Sequence, residues 1–322
     1  MNAPDPQFAS LQQAAEWYSV LHSGSTTAQE RLRWQAWLAE REEHRQAWAH
    51  VENASRRFAN LTGEQHREVA GVALRNSQSE WRRKRRALTR LLVLGATGGA
   101  IWRFTSVPQA MQALRADYRT GVGEIRKIEL PDGTQAWLNT ATAINLDYNP
   151  ATRTVHLLAG EALFETAKDA KRPFVVATAQ GRMRALGTRF TVRCFEERTL
   201  LCVYEGAVEI RTDADGSVHT VHAGHQAEFT HAAIGPLQAA DRMHEAWSSG
   251  VLLADDVPLG EFVTELARYG RLHLGVAPEA AGLRVMGAYP ADDVDKSIDL
   301  LADALSLRVR RILPWWITLE PR

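Results

Sequence analysis

The sequence predicts a multidomain protein: an amino-terminal all-α bundle, one transmembrane helix, an all-β domain of sandwich or solenoid type, and a carboxy-terminal α+β domain. Three observations predict it. A basic run, Trp81 to Arg90 with Arg82, Arg83, Lys84, Arg85 and Arg86, stands directly before an uncharged stretch from Leu91 to Trp102. Ahead of that stretch apolar residues recur at three and four, the helical spacing, and behind it they alternate at two, the strand spacing. Beyond Trp247 the two periods mix. The expected boundaries are 1–81 for the helical domain, 82–107 for the basic segment and span, 108–240 for the all-β domain and 241–322 for the α+β domain.

In the first segment Leu11, Ala14, Ala15, Tyr18 and Leu21 make one helical stripe. Ser23-Gly24-Ser25 breaks it, and Thr26-Thr27 supplies a cap for a second helix carrying Trp34, Trp37 and Leu38. A third begins near Glu43 with Trp48, Val51, Ser55 and Phe58. A segment this short builds a thin core. Five of the ten tryptophans, Trp17, Trp34, Trp37, Trp48 and Trp81, fall in it, more than such a core can swallow. Tryptophan is also a favoured interface anchor, so at least one of them is expected to face a protein partner.

The uncharged run of Leu91 to Trp102 is short enough for a buried core helix. Extended from Leu88 to Val107 it reaches roughly 30 Å as a helix, the thickness of the hydrocarbon layer. Within it Leu91 and Leu92 are apolar, Gly95 and Gly99 stand four apart and would let another helix approach, and Trp102 suits the interfacial belt. The clustered cations favour the span. They would hold the amino-terminal side in the cytoplasm and place the remainder outside it, as a single-pass inner-membrane protein.

In the all-β part Ile128 and Leu130 alternate toward one face, Pro131-Asp132-Gly133 supplies a tight turn, and Ala136 and Leu138 alternate back. Val155 with Leu157, Phe190 with Val192 and Val208 with Ile210 continue the period, and Gly160, Gly187 and Gly206 serve bends. After Trp247, strands at Val251–Leu253, Leu272–Val276, Leu283–Ala288, Leu307–Ile312 and Trp315–Leu319 are interleaved with helices at Pro258–Tyr269 and from Asp292 onward, a βαββαβ-like order.

The net charge of zero divides into −2 before Arg82, +6 from Arg82 to Arg90, and −4 thereafter. The soluble parts thus lack the positive face that direct nucleic-acid binding needs, which weighs against a membrane-anchored DNA-binding regulator. No catalytic motif, phosphate-binding glycine loop or paired Cys-x-x-Cys occurs, so no enzyme activity, catalytic residue, cofactor or metal is expected. A periplasmic adaptor remains as an alternative. His219, His222, His225 and His231 cluster in sequence, but on one strand only His219 and His225 would share a face. Cys194 and Cys202 flank Glu196-Glu197-Arg198-Thr199; a hairpin there would place them opposite each other within disulfide reach, the alternative being two buried thiols.

In the order and spacing of several blocks the chain resembles the FecR family of transmembrane anti-sigma regulators. The blocks are Ala15-Glu16-Trp17, Trp34-Gln35-Ala36-Trp37-Leu38 and His44-Arg45-Gln46-Ala47-Trp48 with Val51 in the helical part. In the β part they are Leu130-Pro131-Asp132-Gly133-Thr134, Gly160-Glu161-Ala162-Leu163-Phe164, Arg172-Pro173-Phe174-Val175-Val176, Leu186-Gly187-Thr188-Arg189-Phe190 and Tyr204-Glu205-Gly206-Ala207-Val208. The last segment resembles the small secretin and TonB amino-terminal type domain, STN. The resemblance implies an extracytoplasmic-function sigma factor as cytoplasmic partner, with Trp17, Trp34, Trp37, Leu38, Trp48 and Val51 as anchors. It further implies a periplasmic signal from the signalling domain of a TonB-dependent outer-membrane siderophore transporter, and regulated cleavage by periplasmic and intramembrane proteases.

Overall fold

The computed structural model describes residues 6–22, 26–62, 116–185, 187–212, 214, 216 and 218–322. Two compact units divide the chain, residues 1–54 with 116–322 and residues 55–115; the second contributes only the last turns of one helix to the described residues.

Three helices open the chain: α1 (Pro6–Leu21), α2 (Ala28–Glu40) and α3 (Glu42–Thr62). Thr27 caps α2 through a reciprocal capping box, its hydroxyl accepting from the Glu30 N–H while the Glu30 carboxylate accepts from the Thr27 N–H. α1 and α3 bury Ala14, Ala15, Ala47 and Val51, whose small side chains permit close approach.

Two seven-stranded sheets then stack face to face. The first runs, in spatial order, β1 (Tyr118–Arg119), β4 (Ala143–Tyr148), β5 (Arg153–Ala159), β7 (Phe174–Ala177), β8 (Gly181–Ala185), β11 (Ala207–Thr212) and β12 (Val218–His222). The second runs β14 (Gln238–Ala239), β13 (His225–Phe229), β10 (Thr199–Glu205), β9 (Arg189–Cys194), β6 (Glu161–Glu165), β3 (Gln135–Leu138) and β2 (Arg126–Glu129). Within these two sheets all pairings are antiparallel except β5 with β7. The chain crosses from sheet to sheet repeatedly, and alternate residues of both sheets fill one core, a sandwich packed as two inward faces. Phe164 lies at its centre, its ring 5.6 Å from that of Phe174 and 5.5 Å from that of Phe190.

Glycine is required at the crossings. Gly160 and Gly206 have φ of +84° and +76°. A Cβ on Gly206 would stand 2.4 Å from the Gly187 carbonyl oxygen, and one on Gly160 2.6 Å from the Thr142 Cα.

Beyond the sandwich come α4 (Met243–Ala246), β15 (Val251–Pro258), α5 (Leu259–Leu266), β16 (His273–Val276), β17 (Arg284–Pro290), α6 (Val294–Ala304), β18 (Leu307–Leu313) and β19 (Trp316–Pro321). Pairing joins β15 to β17 in one small sheet and β16, β19 and β18 in another, β16 lying parallel to β19.

This architecture corrects the expected one. Among the described residues no helix is long and apolar enough to cross a membrane. The expected span, with Leu91, Leu92, Gly95, Gly99 and Trp102, and the basic run Arg82, Arg83, Lys84, Arg85 and Arg86 lie outside the described residues. No STN-like α+β domain is formed: the last region is mostly strand, split between two sheets, and its apolar side does not close on itself. Leu163, Trp137, Tyr204 and Ile125 of the sandwich share its core with Trp247, Phe262, Leu266 and Ile298. Nor do the first helices form a self-contained bundle. α2 buries no residue, and α1 and α3 pack on Trp316 at the start of β19. Helix and strand periods in a sequence report which face of each element is apolar, but not which partner covers it.

Candidate protein-contact surfaces

The proposed anchors divide between two faces. Val51 is fully buried against Ala14, Ala15, Ala47 and Trp316, and Tyr18 sets its ring edge-on to Trp315 at 6.0 Å. Glu16 accepts from Arg310 of β18 at 2.5 Å, and the His50 ring meets that of His273 at 5.6 Å. This side of α1 and α3 is therefore already covered by the β18–β19 hairpin.

The other side is α2. Trp34, Trp37 and Leu38 are half-buried and follow one another at three and one, a stripe on one face of the helix. Trp34 leans on Trp48 with ring centres 5.0 Å apart, and its indole N–H is buried without a hydrogen-bond partner. Trp37 stacks on His44 at 4.5 Å and donates to the Gln13 carboxamide at 2.8 Å. His44 is held in turn by the Trp37 carbonyl at 2.8 Å. Trp17 and Trp48 are half-buried. Leu32, which sequence reasoning passed over, is the most exposed large apolar residue of α2, at 66%.

A second surface joins the sandwich to the last region. Glu161 is the only charged residue among the four buried positions that open β6, and its exposure is 0%. Its Oε2 accepts from Asn139 Nδ2 and Arg268 Nη2, both at 2.9 Å. Oε1 has no hydrogen-bond partner; His244 Nδ1 stands 3.8 Å away. Burial alone would raise this carboxyl, but His244, Arg268 and Arg193 outweigh it and hold the group below the usual carboxylate range. Burial would lower Arg268, and Glu161 with Glu265 pushes it above the ordinary arginine value instead. Glu265 pairs with Arg268 and bridges to Arg193 at 2.9 Å. Arg189 binds both Glu165 at 2.9 Å and Glu245 at 2.7 Å. Thr140 and Thr191 donate to the carbonyls of Arg268 and His244 at 3.0 Å each. The lone acid inside an apolar strand was a visible signal for Glu161. Nothing in the sequence marks Arg268 as its partner.

Two sequence-based geometries are not realised. Cys194 lies opposite Thr199 and Cys202 opposite Thr191, so the β9–β10 register is three residues tighter than the disulfide needs, and the two side chains fall on opposite faces of the sheet. Both are free thiols. Burial pushes the Cys194 thiol up to about 12 and raises that of Cys202 as well. His219 and His225 do not share a strand: the first belongs to β12 in one sheet, the second to β13 in the other.

Comparison with known proteins follows the same division. The family model described as FecR protein matches residues 116–209, and the model described as a domain of unknown function, DUF4880, matches residues 12–54. No curated protein matches the chain. Two crystal structures described as "a putative anti-sigma factor from Parabacteroides distasonis ATCC 8503" are similar in fold, each at 23% identity, covering 64% of this chain and 98% of the other, with TM-scores of 0.52 and 0.53. The chain thus carries a FecR region at residues 116–209 behind a DUF4880 region at 12–54.

Proposed function

We propose that the chain regulates a sigma factor by direct contact, without catalysis, and that the contact surface is α2. The observation that carries this is a well-capped helix of 13 residues holding Leu32, Trp34, Trp37 and Leu38, none of them buried. A helix that leaves two tryptophans and two leucines short of cover fits a surface that is completed by a partner. The FecR match over residues 116–209 and a fold similar to a protein described as an anti-sigma factor support the same reading. In its finer form the partner is an extracytoplasmic-function sigma factor. The last region receives the signal of a TonB-dependent outer-membrane transporter, and regulated proteolysis releases the sigma-binding segment.

The test is co-purification of a co-expressed sigma factor with the full chain and its variants. Trp34→Ala and Leu38→Ala are expected to weaken capture, each by about 2 kcal/mol or more if it is an anchor. Val51→Ala, on the face already covered by Trp316, is the control for loss through misfolding. Undiminished capture by a folded Trp34→Ala, Leu38→Ala double variant overturns the assignment.

A further inference from the structure

The loop between β6 and β7, together with the end of β8, lines an open concavity of about 410 Å³. One wall is Arg153, almost fully buried, whose Nη1 donates to Asp132 at 2.6 Å and to the Ala167 carbonyl at 3.1 Å, while its Nε donates to the Arg172 carbonyl at 2.9 Å. The Phe174 ring lies beneath the same guanidinium at 5.7 Å. These bonds fix the loop as a rigid rim.

The charges around this rim do not balance. Two of the nearby acids are already matched: Asp132 to Arg153, and Asp169 to Arg172 at 2.8 Å, with the Lys171 and Arg172 N–H groups on its second oxygen. Lys168, Lys171 and Arg184 line the cavity as well. Among the described residues their side chains have no ion pair or hydrogen bond. Glu209 is the cross-strand neighbour of Arg184, yet the two do not pair. Once Glu209 is counted against Arg184 an excess of two positive charges remains around the concavity, which raises the local potential for an anion.

We propose that this cavity binds a phosphate monoester. A monoester carries close to two negative charges at neutral pH, which matches the local excess of two better than a single carboxylate does. Guanidinium and ammonium donors both suit its oxygens. The volume admits a group of sugar-phosphate size. The ester has two sources, a free phosphorylated small molecule or the headgroup of a phosphomonoester lipid.

Thermal unfolding of the full chain in inorganic phosphate, against sodium chloride of equal ionic strength, gives the first reading. A saturable rise in Tm is expected. Glucose 6-phosphate, with glucose as control, and phosphatidic acid vesicles, with phosphatidylcholine as control, then separate the sources; binding of either ester supports the site. Lys168→Glu with Lys171→Glu, and separately Arg184→Glu, are exposed changes expected to weaken binding by about tenfold or more. Arg308→Glu, exposed and remote, should leave it intact. No Tm rise beyond that of chloride, a response to the inorganic ion with neither ester bound, or equal affinity in the charge-reversed variants overturns the proposal.

Discussion

Arg268 Nη2 lies 2.9 Å from Oε2 of Glu161, joining a helix-end residue of the last region to a fully buried strand residue of the sandwich. Removing one partner strands the other. Arg268→Ala is expected to lower the stability of the chain by up to about 3 kcal/mol, because the buried carboxylate loses its closest charged partner and keeps only Asn139 with the more distant His244 and Arg193. Glu161→Gln with Arg268→Met should recover most of it. Urea unfolding of the two variants measures the difference, and equal loss in both would contradict the ion-pair account.

The same pair has a pH signature. The Glu161 carboxyl is depressed in the folded state, so its contribution is fully present above the ordinary carboxylate value and is lost as pH falls below it. Acid unfolding should therefore begin at a higher pH in Arg268→Ala than in the parent chain. Circular dichroism between pH 6 and 2 follows it.

His273 titrates in the opposite chemical sense to a salt-bridged histidine. Burial, and then the charge of His50, lowers it to about 4, and its ring stacks on Trp316 at 3.7 Å. With the folded value below the unfolded one, protonation favours unfolding: stability is complete above about pH 6.5 and declines as the pH falls toward about 4. His273→Gln is expected to flatten the profile in that window, read by thermal unfolding at successive pH values.

Gly206 and Gly224 separate two costs of a side chain. Both have positive φ, but a Cβ on Gly224 meets nothing within 4 Å, whereas one on Gly206 meets the Gly187 carbonyl oxygen at 2.4 Å. Gly224→Ala should cost about 1 kcal/mol for the left-handed backbone alone. Gly206→Ala should cost clearly more, since the β10–β11 crossing must shift. Comparable denaturation midpoints would show that this crossing yields freely.

The thiols of Cys194 and Cys202 should resist modification while the chain is folded. The raised Cys194 value leaves almost no thiolate at pH 8. Intact-mass analysis without reductant is expected to show both thiols free, and a colorimetric thiol reagent to react only after unfolding. A mass two units lower would restore the bond that the register forbids.

What could be read from the sequence was local. The Thr27 cap, the start of α3 near Glu43 and the turn at Pro131-Asp132-Gly133 all follow from residue chemistry within a few positions. Alternation placed Val155, Leu157, Phe190, Val192, Val208 and Ile210 on buried faces. Non-local choices were not legible. The Phe195–Arg198 turn fixes the β9–β10 register by one hydrogen-bonded closure, and a spacing that looked right for Cys194 and Cys202 fails by three residues. The outer face of the second sheet also hides its purpose, because Trp137 and Leu163 alternate as strand residues do whether they meet water or another apolar surface. Of the candidate anchors, Val51 carries the helical period of a core residue and of an interface residue alike, and only its contact with Trp316 decides between them.

β6 belongs to two interiors at once: Ala162 and Phe164 point into the sandwich, while Leu163 and Glu161 point under the last region. Prising that region away would bare an oily strip with a naked carboxylate in its middle, a form prone to aggregate or be degraded before it could close again. A displacement of that region is thus accommodated at least cost by a slight shear along this shared wall. Complete separation would serve only as an irreversible, once-per-molecule event.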